Sequence, residues 1–285
     1  MSFNYYKKNS ICSFFIKQAA ITIVGISFAA HQPAKSLAIA PQSKQQSKQL
    51  PEIGKFQLKY TPTSSHQRVQ QYIQASTMFE TVVEKLNQKQ LNLPVDIPII
   101  FKDCGTPNAF YDPNKHEVSL CYELFELSDE VFNNDSNSSV SNGVFILLHE
   151  VGHALVDSLD LAFTGKEEDS VDDFAATFLL DDKNELPEST ILVGSQFFSA
   201  LPDSEYWDEH SFGQQRQYNL ICLLFGKDPQ KYLEVATNSG LGVSRAQRCH
   251  SEYQDKVSSW QRILAPHSIY DANVPPKNSG DGALY

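Results

Sequence analysis

The stretch His149-Glu150-Val151-Gly152-His153 has the residue types and spacing of a catalytic metal site. Histidines four apart on a helix project from the same face, so two imidazole nitrogens can reach one Zn²⁺ at roughly 2.0–2.1 Å. Glu150 follows the first histidine and is placed to act on a metal-activated water without binding the metal. The flanking residues are strongly apolar, and burying three polar groups without partners would be costly. The pattern therefore predicts one Zn²⁺ per chain, with Glu150 as general base.

A catalytic zinc site needs a third protein ligand and one open position. The extended metzincin pattern requires glycine at position 156 and histidine at position 159, and this chain has Val156 and Leu159 there, which excludes that class. Acidic residues follow at the start of a second predicted helix: Glu167, Glu168, Asp169 and Asp172. The helix dipole favours acids in a first turn whatever their function, so charge alone does not choose the ligand.

The motif His-Glu-x-x-His, followed on a second helix by Glu-x-x-x-Asp, resembles the arrangement of gluzincin-type peptidases. The longer form Glu-x-x-x-Asp-x-Phe-Ala is similar to that of small bacterial zincins. The resemblance implies that Glu168 is the third metal ligand and that Asp172, one helical turn on, orients a ligand histidine. The interval from His153 to Glu168 is shorter than in the best-known gluzincins, so Glu167 and Asp169 stay open as alternatives.

Further stretches resemble a bacterial family that is known as a domain of unknown function and is assigned to metallopeptidases. In chain order they are Cys104–Pro113, Leu120–Glu123, Gln217–Gly226, Arg248-Cys249 and Glu252-Tyr253. With the His-Glu motif they cover most of residues 95–265. The resemblance implies a zincin-like fold and hydrolysis of a peptide or protein substrate, but it identifies no particular substrate.

In zincins a strand beside the active-site helix lines the cleft and pairs with an extended peptide. By that resemblance the segment from Asn108 to Tyr111 is the candidate substrate segment, although a tight hairpin packed by its aromatic residues would explain it equally well. A Tyr, His or Arg is also expected near the metal to stabilise the developing oxyanion. The sequence does not choose among four candidates: Tyr218, His210, Arg216 and Tyr111.

Two other functions fit the same residues. A catalytically inactive zincin-like protein could hold zinc, or bind a peptide, without cutting it. The intact Glu150 argues against this, because structural zinc does not require that residue. A disulfide-stapled structural domain without metal is the third possibility.

The N-terminus has the pattern of a secretory signal peptide. Lys7, Lys8 and Lys17 precede the apolar run 19–30, and Ser36-Leu37-Ala38 offers a small-x-small cleavage site, with Ala30 and Ala40 as alternatives. The run is shorter than the roughly 20 apolar residues of a spanning helix. We therefore predict a signal peptide over 1–38, export to the periplasm or the extracellular space, and no stable membrane anchor after cleavage.

Composition divides the rest of the chain and limits its partners. Residues 39–52 are rich in Gln, Ser and Pro and predict a disordered linker, which is followed by one zincin-like domain over 53–270 and a flexible tail over 271–285. The formal charge is −11, and residues 1–38 hold four lysines and no acid. Such a negative chain repels phosphate backbones, so nucleic acid is excluded as a partner.

Four cysteines remain beyond the predicted signal, an even number in an exported chain. Three pairings are possible. The pairs Cys104–Cys121 and Cys222–Cys249 close the shortest loops, and the first would join two apolar segments that look like neighbouring strands. Four buried free thiols are the alternative.

The periodicity of the sequence predicts an α+β fold, with strands first and helices afterwards. Strands are expected at 56–60, 95–101 and 117–122, the last two forming a hairpin, and a long amphipathic helix at 65–90. A polar loop is expected at 133–143. Helices are then expected at 144–161, 169–180, 214–225 and 229–237.

Overall fold

The computed structural model describes residues 53–202 and 206–269. The predicted signal peptide, linker and C-terminal tail lie outside the described residues. The strands are β1 (Phe56–Tyr60), β2 (Ile97–Lys102), β3 (Ala109–Asp112) and β4 (Glu117–Cys121). Five helices precede residue 180: α1 (Gln67–Ser76), α2 (Met78–Gln88), α3 (Tyr122–Val131), α4 (Ser136–Ser158) and α5 (Glu167–Leu179). They are followed by α6 (Ser189–Ala200), α7 (Gly213–Lys227), α8 (Leu233–Asn238) and α9 (Val243–Leu264).

One small mixed sheet precedes a mainly helical part, so the predicted α+β class is confirmed. The strand order is β1-β2-β4-β3. Strands β1, β2 and β4 run parallel, and β3 lies antiparallel to β4 at the edge of the sheet. Alternate residues of β2 are fully buried because one face of the sheet packs on helices: Ile97, Ile99 and Phe101.

The predicted hairpin between residues 95–101 and 117–122 is wrong. These two strands pair in parallel, with Ile99 opposite Val118. Hairpin loops have about 2–5 residues, whereas parallel strands need a connection of about a dozen or more. The long segment 103–116 meets the second requirement, and within it β3 turns back at Asp112 to form the hairpin of the sheet with β4.

The helix predicted over 65–90 is two helices. Thr77 between them has a φ of 54°, in the left-handed region. A β-branched residue rarely adopts that conformation, so the conformational preference of threonine did not predict the break.

The polar loop predicted over 133–143 is also wrong, because α4 already begins at Ser136. Asp135 caps the helix by accepting a hydrogen bond from the backbone N–H of Asn137 at 3.2 Å. Two polar residues of this first part are buried and paired: Ser139 donates to Asp129, and Asn142 donates to Ser128. Their polarity therefore reflects internal hydrogen bonds and not exposure.

Helix α4 lies at the centre of the fold and packs against the sheet, α3, α5 and α6. Fifteen of its residues are buried, so its position is fixed from several sides. Both disulfides favoured by the sequence are present, with Cα–Cα distances of 5.4 Å for Cys104–Cys121 and 5.0 Å for Cys222–Cys249. Together they indicate an oxidising environment. No described helix is both long and apolar enough to cross a membrane.

Candidate metal centre

Helix α4 presents His149, Glu150 and His153 to a groove of about 720 Å³. The edge strand β3 forms one wall, and the start of α5 with Glu209 and His210 forms the other. His149 and Glu150 are buried, being 5% and 8% exposed. The rings of the two motif histidines are 5.0 Å apart, as expected for side chains one helical turn apart.

Gly152, inside the motif, allows α5 to approach α4 closely. A Cβ atom built on Gly152 would lie 2.7 Å from Cβ and 3.2 Å from Cα of Val171 on α5. The absence of a side chain at this position therefore sets the distance between the two helices. It brings the first turn of α5, which carries Glu168, against the histidines.

The carboxylate of Glu168 lies at the centre of three histidines. Its Oε2 is 3.1 Å from Nε2 of His149 and 3.1 Å from Nε2 of His210, while its Oε1 is 3.4 Å from Nε2 of His153. The ligand atoms of His149, Glu168 and His210 all lie within 4.8 Å of one another. His153 does not join this compact trio but faces the other carboxylate oxygen.

Each of these histidines has its other ring nitrogen occupied by a carboxylate. Nδ1 of His149 lies 2.8 Å from Asp172, and Nδ1 of His153 lies 2.7 Å from Glu167. Nδ1 of His210 lies 2.9 Å from Asp208. A carboxylate can only accept, so each Nδ1 is the donor, and each Nε2 is left facing Glu168 with its lone pair available in the neutral ring.

Asp172 is itself held by Arg216 on α7. The guanidinium donates through Nε and one terminal nitrogen to the two carboxylate oxygens, both at 2.7 Å. It also lies 3.5 Å from the centre of the Phe198 ring. Burial disfavours the Asp172 carboxylate, but Arg216 and His149 outweigh it and lower its pKa to about 2. Asp172 is therefore an anion that fixes the ring of His149.

The electrostatics of the groove distinguish its two glutamates. Burial raises the pKa of Glu150, and the nearby histidines only partly oppose this effect. Burial also acts against the Glu168 carboxylate, but the three neighbouring histidines outweigh it and lower its pKa. The carboxylates in turn overcome burial and raise the pKa of His153 to about 9. The two glutamates therefore differ in opposite directions: the pKa of Glu168 is lowered and that of Glu150 is raised.

Of the three acids proposed as third ligand, Glu168 alone lies against the Nε2 atoms of the histidines. Glu167 is bonded to His153, and Asp169 accepts from Ser211 Oγ at 2.7 Å. Asp172, which the resemblance implied as an orienting residue, lies 2.8 Å from Nδ1 of His149.

The remaining candidates divide into those that reach the groove and those that do not. Asn108, Tyr111 and His210 line it. The Tyr111 hydroxyl donates to Asp157 at 2.7 Å. Arg216 lies behind His149, where it lines a smaller pocket of about 180 Å³ beside Glu150. Tyr218 does not reach the groove: it lies in another surface pocket, with Gly240 and Arg245.

Sequence reasoning missed the roles of three side chains. Glu167 was weighed only as a ligand, Arg216 only as an oxyanion donor, and Asp208 not at all. The spacing Asp-x-His at 208–210 was a usable signal, because the carboxylate also accepts the backbone N–H of His210 at 2.8 Å. Nothing in the spacing of Arg216 pointed to Asp172, 44 residues earlier.

The donor set fits a divalent metal. Glu168 Oε2 is buried and forms no hydrogen bond of acceptable geometry, although two imidazole nitrogens lie 3.1 Å away. A buried, unsatisfied carboxylate oxygen is costly. An ion among these nitrogen and oxygen atoms would remove that cost, and imidazole and carboxylate are ligands that zinc accepts.

Comparison with known proteins agrees with the geometry. No curated protein and no solved structure matches the chain. The family model DUF4344, described as "Putative metallopeptidase", matches residues 59–264, which include the whole His-Glu motif, α5 and His210. A metallopeptidase family implies a bound metal ion. Because this match spans most of the sequence, the chain belongs to the DUF4344 family of metallopeptidases.

Proposed function

We propose that this protein is an exported zinc-dependent peptidase in which His149, His153 and Glu168 hold the metal and Glu150 is the general base. The observation that carries the proposal is the position of Glu168, whose carboxylate faces Nε2 of both motif histidines. The orienting carboxylates behind the histidines support it, since such partners fix the tautomer of metal-binding imidazoles.

Zinc bound there would polarise the scissile carbonyl and activate a water for attack. Glu150 is the group that takes the proton from the attacking water and passes it to the leaving amine. Burial raises its pKa, and a carboxylate with a higher pKa is a stronger base. Glu168 could not do this, since its pKa is held low.

The edge strand β3 is the proposed substrate platform. It pairs with β4 on one side only, and its residues 109–111 line the groove beside Glu150. An unpaired strand edge offers backbone donors and acceptors to an extended peptide. Asn108, the residue before this strand, and the side chain of Tyr111 would border the bound segment.

The charge of the groove favours cationic peptides. Besides Glu150 and Glu168, the groove is lined by four exposed acidic residues: Asp157, Asp160, Glu167 and Glu209. Among the described residues no lysine or arginine lines it. A cleft with one sign of charge concentrates ligands of the opposite sign, so peptides with Lys or Arg near the cut bond are the expected substrates. Tyr111 and His210, which both reach the groove, remain the candidates for stabilising the oxyanion.

Export rests on the signal-like pattern at residues 1–38 and on the two disulfides. The start of the mature protein, read by N-terminal sequencing of material from the periplasm or medium, tests it. A start near residue 39 is expected, and an intact Met1 would contradict export by this route.

Zinc content and peptide cleavage, measured on Glu150→Gln, His149→Ala and the full chain, test the site. About one zinc per chain is expected in the unchanged protein and in Glu150→Gln, and about none in His149→Ala. Glu150→Gln should lose cleavage of a library of Lys- and Arg-containing peptides, because it cannot accept the proton.

Glu130→Gln is the matched control, since Glu130 is an exposed glutamate on α3. It should retain both zinc and activity. Full activity in Glu150→Gln would show that another group is the base.

A further inference from the structure

We propose that His210 is a fourth protein ligand of the metal, so that the resting centre is closed by protein on all sides. This rests on the proposed metal site. Its Nε2 lies 3.1 Å from Glu168 Oε2, the same distance as that of His149 Nε2. His210 therefore contacts the Glu168 carboxylate at the same distance as the motif histidine His149 does.

The distances from Glu168 Oε2 to His149 and His210 are close to those in a coordination shell. Ligand atoms bound tetrahedrally to zinc at about 2.0–2.1 Å are about 3.3 Å from one another. Glu168 Oε2 lies 3.1 Å from Nε2 of both His149 and His210, close to that spacing, whereas His153 Nε2 lies 3.4 Å from the other oxygen, Oε1. A His210 that only awaited a substrate oxyanion would need room for that oxygen between its ring and the ligand carboxylate.

A carboxylate fixes the orientation of the His210 ring, as it does for His149 and His153. Asp208 holds its Nδ1 at 2.9 Å, as Asp172 and Glu167 hold the others. This arrangement, in which a carboxylate fixes one imidazole nitrogen and leaves the other for the metal, is typical of ligand histidines.

The segment around His210 is fixed to the ligand helix α5. Ser211, which is buried, donates through Oγ to Asp169 at 2.7 Å, one residue beyond Glu168. The same Asp208 oxygen that holds the ring also accepts the backbone N–H of His210 at 2.8 Å. These contacts orient the His210 ring towards Glu168, and none of them involves a residue of α4.

A closed centre has a functional consequence. Structural zinc sites have four protein ligands, whereas catalytic ones keep a position open. With His210 bound, water has no position until that side chain leaves. His210 is 37% exposed in its side chain, more than either motif histidine, so it is the ligand that solvent or a peptide can displace.

Zinc affinity, measured on the full chain by competition with a chromophoric chelator, tests this inference. His210→Ala should bind zinc at least about tenfold more weakly, and Asp208→Asn, which keeps the imidazole, should show a smaller loss. With Co²⁺ in place of zinc, His210→Ala should change the visible absorption spectrum. His250→Ala on α9, an exposed histidine far along the chain, should change neither quantity.

Zinc affinity within about twofold of the unchanged protein in His210→Ala, with the same cobalt spectrum, would overturn the fourth-ligand assignment. Failure of the proposed function would look different, because His149→Ala would then also retain zinc. Loss of zinc in His149→Ala alone would leave the peptidase proposal intact and reject only the role given to His210.

Discussion

Replacing Gly152 by alanine tests whether the spacing between α4 and α5 sets the metal centre. The added Cβ would lie 2.7 Å from Cβ of Val171, whereas non-bonded carbons prefer about 3.5–4.0 Å. Val171 is fully buried, and rotation of its side chain does not move its Cβ. The helices would have to separate by about 1 Å to restore ordinary contact.

Two opposing effects determine the outcome for stability. Alanine is favoured over glycine inside a helix by about 1 kcal/mol, while overpacking a core costs about 1–3 kcal/mol. The contact lies between atoms close to both backbones, so the cost falls at the upper end and the net loss is about 2 kcal/mol. For a chain of this size that lowers Tm by about 4–8 °C.

The same shift should disturb metal binding, because Glu168 lies one helical turn before Val171 on α5. Zinc affinity should fall by about 10–100-fold, as it does when orienting contacts are lost. Thermal melting of the metal-free chain and chelator competition measure the two effects. Gly165→Ala is the control, since an added Cβ there meets nothing within 4 Å. If Gly152→Ala melted at or above the temperature of the unchanged protein and bound zinc equally well, the argument from helix spacing would be wrong.

Two further predictions concern buried charge. Asp172→Asn leaves the guanidinium of Arg216 without its anion, so we expect a loss of about 3–5 kcal/mol of unfolding free energy and weaker zinc binding, measured by denaturant titration and chelator competition. Glu188 has its pKa lowered to about 2 because Lys227 and Lys231 outweigh the effect of its partial burial. A lowered pKa stabilises the fold above about pH 4.5 and ceases to do so as the pH falls through about 2, so Glu188→Gln should cost about 1–2 kcal/mol at pH 7 after allowance for solvent. The difference from the unchanged protein should disappear in urea melts near pH 2, and a difference that persisted there would refute the electrostatic explanation.

The sequence predicted the parts of the fold that depend on local periodicity. The start of β1, the extent of α5 and the buried half of α4 follow from spacing of apolar residues alone. The break at Thr77 could not be predicted, because its left-handed backbone opposes the preference of a β-branched residue. The prediction of a loop at the polar start of α4 was wrong for another reason. Ser139 and Asn142 are buried because they form hydrogen bonds with α3, and only the tertiary structure supplies those partners.

The candidate metal centre was likewise predictable only in part. His149, His153 and Glu150 were predictable because one helix positions all three. The resemblance to gluzincins added Glu168 and Asp172 by position in a second helix. His210 comes from a segment without helical periodicity, 42 residues beyond Glu168, so no spacing rule placed it beside that carboxylate. Its convergence on the site is visible only in three dimensions.

The connectivity of the two disulfides bears on how the chain matures. Cys104 pairs with Cys121 and Cys222 with Cys249, at separations of 17 and 27 residues, so neither loop encloses or crosses the other. A chain that enters an oxidising compartment from its N-terminus presents these cysteines in their order of pairing. An oxidase that joins each newly exposed thiol to the preceding free one therefore produces the native pairs directly. Pairing in that order needs no reshuffling of disulfides, a step that takes seconds to hours.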